Sequence, residues 1–160
     1  MQEILRFMDI RSTDPTYNLA LEEYLLTHYT QGEILLLWQN ANTIVIGRNQ
    51  NTEEEINRAF VEEHNITVVR RTTGGGAVYH DMGNLNYSFI QDSGDPETMS
   101  IAALAVPVVK ALATMGVQAE VSGRNDILVD GKKISGVAQR LYHNRILHHG
   151  TLLFSSNPDM

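Results

Sequence analysis

The densest run of groups that could do chemistry is Arg70-Arg71-Thr72-Thr73-Gly74-Gly75-Gly76-Ala77-Val78-Tyr79-His80-Asp81. Three consecutive glycines between branched runs are costly for a plain hairpin, because glycine loses the most backbone entropy on ordering. They make sense where a ligand presses on the main chain and N–H groups converge on an anion. Arg70 and Arg71 would bring charge for a phosphate or a carboxylate. A flexible turn beside a solvated basic pair accounts for the same residues equally well. The run is not a Walker A loop, since no Lys-Ser/Thr follows the glycines, and it lacks the acidic ribose residue of a dinucleotide fingerprint.

A second cluster is Ser122-Gly123-Arg124-Asn125-Asp126, followed by Lys132 and Lys133. On a strand the two lysines point to opposite faces, Lys132 with Ile134 and Lys133 with Ser135. One could face solvent while the other stabilises charge on a phosphate and an acyl oxygen, and Gly136 would let a ligand press on the backbone. A solvated pair beside a turn is the bland alternative. The third cluster is His148-His149-Gly150-Thr151. Adjacent strand residues diverge, so these imidazoles do not share a metal ion; His80 and His143 add no ligand spacing. No metal site is assigned.

Short elements must position these residues. Asp14-Pro15 opens a helix with Leu19, Leu21, Leu25 and Leu26 on its apolar face. Residues 34–38, 43–46, 66–71, 77–80, 85–90 and 150–154 read as strands. Thr52 is expected to cap a helix with Ile56, Ala59 and Phe60 facing the core. Another helix lies between Met99 and Met115, either kinked at Pro107 or beginning there, and Gly116 stops it. Asp130-Gly131 marks a hairpin between residues 127–129 and 133–135. Many adjacent strands with few crossover helices predict an α+β fold with a mainly antiparallel sheet.

Composition narrows the classes. The chain has 160 residues, 12 Lys and Arg, 19 Asp and Glu, a net charge of −7 and no cysteine. The acidic balance disfavours a broad nucleic-acid surface, and the lack of thiols excludes disulfide scaffolds and covalent-thiol mechanisms. No signal-peptide pattern or membrane-length apolar run occurs, so a cytoplasmic protein with no membrane partner is expected.

In this order and spacing, the three clusters resemble the lipoate–protein ligase A family. The resemblance also covers Asp14-Pro15 through Glu22-Glu23, Leu37-Trp38, Thr43 to Arg48, Gly83-Asn84 and Lys133-Ile134-Ser135-Gly136. It implies a mixed, largely antiparallel sheet flanked by helices, shared with biotin ligases and related to class II aminoacyl-tRNA synthetase cores. It also implies two reactions: lipoate attacks the α-phosphate of ATP, and a carrier-domain lysine then attacks the adenylate. Lys133 matches the lysine that touches carboxyl and phosphate. Arg71, Gly75, Gly76, Ala77, Val78, Tyr79, Asn84, Asn125 and Asp126 join it as ATP and adenylate residues. Arg71, Gly76, Lys133, Ser135, Gly136 and His149 are the implied lipoate residues. Mg2+ would arrive with ATP, with Asp81 and Asp126 as candidate ligands. The implied partners are the E2 lipoyl domains of 2-oxoacid dehydrogenases and the glycine-cleavage H protein.

Residues 1–160 are expected to form one domain, most of a ligase catalytic domain, without the rest of that domain or the small accessory domain of the family. Three other readings compete. One is a cysteine-free lipoyl or octanoyl transferase on this scaffold. Another is a non-catalytic homologue that binds acyl-adenylate or a carrier. A biotin ligase fits less well, because the Gly-Arg-Gly-Arg signature is missing.

Overall fold

Helix α1 (Pro15–His28) begins where Asp14 accepts a hydrogen bond from the Thr16 N–H at 2.8 Å, with Pro15 in the first turn. Its buried stripe is Asn18, Glu22, Leu25 and Leu26. Two polar residues therefore share the face that leucines alone were expected to supply. In this computed structural model, residues 5–94, 100–123 and 126–157 are described.

Strands β1 (Leu5–Asp9), β2 (Glu33–Trp38), β3 (Thr43–Ile46), β4 (Thr67–Arg70), β5 (Val78–His80) and β6 (Asn84–Asp92) precede the last helix. After it come β7 (Glu120–Ser122), β8 (Asp126–Val129), β9 (Lys132–Tyr142) and β10 (Arg145–Leu153). Seven form one sheet in the order β1-β2-β6-β10-β9-β8-β7, and β4-β3-β5 form a second. Among the described residues, only β1–β2 and β3–β4 pair in parallel. The architecture is the expected mixed, mainly antiparallel α+β arrangement.

Odd and even residues of β6 separate two cores. Ile90 joins Leu25 and Leu26 of α1 with Ile34, Leu36, Trp38 and Leu147. Tyr87 joins Ala105, Val108 and Leu112 of the last helix with Ile127 and Val137. That helix, which follows α2 and α3 below and is called α4, spans Ile101–Thr114 and is capped by Ser100. It does not begin at Pro107. The proline lies on the exposed face, where the carbonyl left without an N–H partner meets water. Gly116 follows the helix with a φ of 81°.

Three local expectations need correction. The helix at Thr52 is two short ones, α2 (Thr52–Glu55) and α3 (Arg58–Glu63), capped by Asn51 and Asn57. Ala59 and Phe60 are exposed rather than core-facing, and Phe60 stacks on His64 at 3.9 Å. The strand expected at 66–71 spans only Thr67–Arg70. The final strand starts at Arg145, not Gly150, because β9 and β10 form a long hairpin through His143-Asn144, with His143 at a φ of 50°. The Asp130-Gly131 hairpin is present, with both residues at positive φ of 50° and 73°.

Candidate functional site

The two sheets face each other across a cavity of about 490 Å³. Arg71, Gly75, Gly76, Ala77, Val78 and Tyr79 line one wall, and Asp126, Lys133, Ser135, Gly136 and His149 line the other, with Asn84 between. Every described residue that the resemblance implies for ATP or lipoate is on this surface, whereas Arg70, Gly74 and the candidate Mg2+ ligand Asp81 are not. Asn125 and Arg124 lie outside the described residues. Leu19, Trp38 and Val45 give the cavity an apolar region.

The triglycine run is a loop held by hydrogen bonds from Arg71. Gly75 has a φ of 96°, and an added Cβ there would lie 2.9 Å from Arg71 Nη2. Arg71 Nη2 donates to the Gly74 and Gly76 carbonyls at 2.8 and 2.7 Å. Its Nε–H is shared by Thr73 Oγ1 and the Gly74 carbonyl, and Nη1 donates to the Val45 carbonyl at 3.1 Å. A guanidinium has five N–H groups, so among the described residues one is left for a ligand. Burial lowers the Arg71 pKa, and the Glu22 charge opposes that shift. Arg70 turns away: it donates to the Gly47 and Gln50 carbonyls at 2.8 and 2.7 Å and to Thr52 Oγ1. The arginine pair is thus mainly a clamp on main-chain carbonyls, with Arg71 alone reaching the cavity.

The loop after β3 supports the glycines from behind. Arg48 N–H donates to the Thr73 carbonyl at 2.9 Å. A Cβ on Gly47 would lie 2.0 Å from the Gly75 carbonyl oxygen. Nothing larger than glycine fits there without moving the loop.

Opposite, Lys133 Nζ sits 2.8 Å from the Asp126 carboxylate, both half-exposed. Lys132 points away from the cavity, and Ile134 packs beside the α4 core, as alternation requires. The lysine side chain lies over Gly136, where a Cβ would be 3.3 Å from its Cε and 3.4 Å from its Nζ. Gly136 therefore makes room for the ammonium group itself. The Ser135 hydroxyl lies 3.5 Å from the Tyr87 hydroxyl, whose pKa burial pushes up to about 12.

His148 and His149 point to opposite faces. His148 sits near Tyr87 and Phe89, and burial followed by the nearby His149 lowers its pKa to about 4. His149 meets Glu22 through Nδ1 and Thr73 through Nε2, each at 2.8 Å. With both nitrogens engaged, His149 offers a ligand only ring carbons. His80, also on the wall, hydrogen-bonds Asn40 through Nδ1 at 3.1 Å, and burial, then His149 and Arg71, lower its pKa to about 4. Burial raises the Tyr79 pKa, with Asp81 adding to the shift. The Asn84 amide donates to Asn86 Oδ1 at 3.0 Å. Asn84 Oδ1, Asn86 Nδ2 and His80 Nε2 are buried without protein partners among the described residues.

Glu22, Thr73, Trp38, Ser88 and Asn86 were not singled out as site residues from the sequence. Glu22 was detectable: it lies four residues after Asn18 and three before Leu25, inside the buried stripe of α1. Asp81 accepts from the Gly83 and Asn157 N–H groups through its two oxygens, which leaves Asp126 as the carboxylate on the cavity among the described residues. One carboxylate with solvent access suits Mg2+ that arrives with ATP, because that ion keeps several waters. Among the described residues no group of three or more His, Asp or Glu could hold a metal ion, and no helix is long and apolar enough to cross a membrane.

Fold and site together define an α+β protein with a clamped glycine loop and a lysine sharing one cavity. The chain belongs to the lipoyl protein ligase A/B catalytic domain family, whose model matches residues 14–160. It is 55% identical over 148 residues to the lipoate-protein ligase LplJ of Bacillus subtilis, covering 91% of this chain and 44% of that protein. A bi-partite lipoate protein ligase of Thermoplasma acidophilum, solved with its E2 lipoyl domain, superposes with a TM-score of 0.89 at 30% identity, over 99% of this chain and 65% of that one. A lipoate-protein ligase A bound with ATP gives 0.87 at 29% identity, over 100% and 70%. The chain spans less than half the length of the Bacillus relative. The Bacillus and Thermoplasma relatives are described as lipoate-protein ligases.

Proposed function

We propose that this chain carries the site that joins lipoate to AMP and passes the lipoyl group to a lysine of a carrier domain. One observation carries the reading: the triglycine loop and the Lys133 ammonium line the same cavity, which also has an apolar region suited to an acyl chain. A carboxylate is inert to amines until its oxygen becomes a leaving group, and adenylation supplies that. Both steps move negative charge at one phosphorus–oxygen–carbonyl junction. Lys133 stands where a fixed cation lowers both barriers, and the remaining Arg71 N–H adds a second donor. The partner of Lys133 is Asp126, so an incoming anion competes with that carboxylate for the ammonium. When Mg2+ accompanies ATP, Asp126 is the residue that would hold it.

The acyl chain would run toward Leu19, Trp38 and Val45, leaving its carboxylate at Lys133. E2 lipoyl domains and the glycine-cleavage H protein are the proposed acceptors, and the Thermoplasma relative solved with its E2 lipoyl domain supports the first. Residues 1–160 are read as one domain, most of the catalytic portion, acting in the cytoplasm where ATP is available. The test is mass spectrometry of an apo lipoyl domain incubated with this polypeptide, lipoate and magnesium ATP. An adduct of one lipoyl group that requires ATP supports the reading. An adduct formed only from acyl-carrier thioester, without ATP, would replace the ligase with a transferase.

A further inference from the structure

A line of buried hydrogen bonds runs from α1 to the glycine loop. Trp38 Nε1–H donates to Ser88 Oγ at 2.8 Å, and Ser88 donates to Glu22 Oε1 at 2.5 Å. The same carboxylate oxygen accepts from His149 Nδ1 at 2.8 Å; His149 Nε2 meets Thr73 Oγ1 at 2.8 Å, and Thr73 Oγ1 accepts from Arg71 Nε–H at 3.1 Å. Glu22 is 2% exposed, Thr73 1% and Ser88 0%. A buried carboxylate is expensive unless its oxygens are hydrogen-bonded, so this one has a structural commitment to its partners.

We infer that Glu22 is a positioning residue of the adenylation site: through His149 and Thr73 its carboxylate fixes Arg71 and, with it, the triglycine main chain. The inference rests on the proposed ligase reading. With the imidazole proton on Nδ1, every donor in the line faces an acceptor: Arg71 to Thr73, Thr73 to His149, and His149 and Ser88 to Glu22. Without the Glu22 acceptor, His149 is free to carry its proton on Nε2. That nitrogen would then donate to Thr73 Oγ1 and compete with Arg71 Nε–H for the same oxygen. The disturbance would reach the group that holds the Gly74 and Gly76 carbonyls.

Carboxylate, imidazole and hydroxyl at these separations also match the spacing of a nucleophilic triad. Thr73, however, does not line the cavity, and its oxygen accepts a hydrogen bond from Arg71 Nε–H. The line ends on a scaffold rather than on substrate.

The test combines Glu22→Leu, Glu22→Gln, Thr73→Val and the double variant Glu22→Leu/Thr73→Val. It measures kcat and KM for lipoyl-adenylate formation and reads the His149 tautomer by nitrogen-15 NMR. Glu22→Leu is expected to lower kcat about tenfold or more with little change in KM for ATP, and to move the His149 proton to Nε2. Glu22→Gln keeps an acceptor oxygen, so it retains the Nδ1–H tautomer and most of the rate. Because both cuts break one line, the double variant should be no slower than the worse single. Multiplying losses, or an Nδ1–H tautomer that persists in Glu22→Leu, would overturn the inference. If Glu22→Leu does not fold, Thr73→Val must still lower kcat without raising KM, and wild-type kinetics from it would overturn the inference too. A wild-type protein that binds neither ATP nor lipoate would instead defeat the ligase reading, while the NMR arm still tests the line itself.

Discussion

Replacing Gly47 with alanine should damage adenylation through a residue that lines no part of the cavity. The added Cβ would fall 2.0 Å from the Gly75 carbonyl oxygen and 3.0 Å from its carbon. Carbon and oxygen need well over 3 Å, so the glycine loop must retreat by roughly 1 Å or more. The neighbouring Arg71 bonds to the Gly74 and Gly76 carbonyls are 2.8 and 2.7 Å long, and a shift of that size weakens or breaks them. Overpacking of this kind costs about 1–3 kcal/mol of stability. A displacement of about 1 Å in a group that positions reacting atoms costs on the order of 100-fold in rate. Calorimetric ATP binding, pyrophosphate release and urea unfolding, measured on wild type and Gly47→Ala, separate the two effects. Unchanged nucleotide affinity and rate in Gly47→Ala would show that the loop geometry does not govern the site.

His80 and His148 are held neutral with folded pKa values of about 4, below the ordinary 6.5. The unfolded chain therefore binds more protons between pH 4 and 6.5, so stability is full above 6.5 and is lost as pH falls toward 4. Urea unfolding should show a loss of about 2 kcal/mol per imidazole between pH 7.5 and 5, and His148→Gln should halve the total; a flat profile would contradict the burial argument. Gly150→Ala places a Cβ 2.5 Å from the Tyr87 hydroxyl oxygen and 2.7 Å from Val137 Cγ1, and should cost about 1–3 kcal/mol in urea unfolding. Arg71→Lys keeps the charge but loses the planar fork that holds three carbonyls, so adenylate formation should fall by about tenfold or more, measured by pyrophosphate release.

The parts of the fold written in local chemistry were legible. Asp14-Pro15, Gly116 and Asp130-Gly131 each specify a backbone conformation directly, and the elements they bound are present. The hairpin of β9 and β10 was less visible, because Gln139, Arg140, His148 and His149 interrupt the apolar alternation at positions the fold nonetheless buries or half-buries. The break between α2 and α3 depends on Asn57 capping a new helix, a choice that Ala59 and Phe60 obscure by looking like core. At the site, residue types and family spacing brought out the glycines, Arg71, Lys133 and His149. Glu22 was marked locally only as a polar residue in the buried stripe of α1, and its link to His149 and on to Thr73 was hidden, because partners 127 and 76 residues apart leave no local pattern. The arginine pair differs: its charge is readable in the sequence, but its commitment to carbonyls arises only from the fold.

The most direct measurement is lipoyl-adenylate formation by Lys133→Ala beside wild type, quantified by mass spectrometry after incubation with lipoate and magnesium ATP. The half-exposed Lys133 makes one ion pair, so the variant should unfold at an unchanged urea concentration while forming adenylate about 100- to 1000-fold more slowly. Adenylate appearing at the wild-type rate would remove the ammonium group from the chemistry, and with it the claim that the glycine loop and Lys133 build one catalytic cavity.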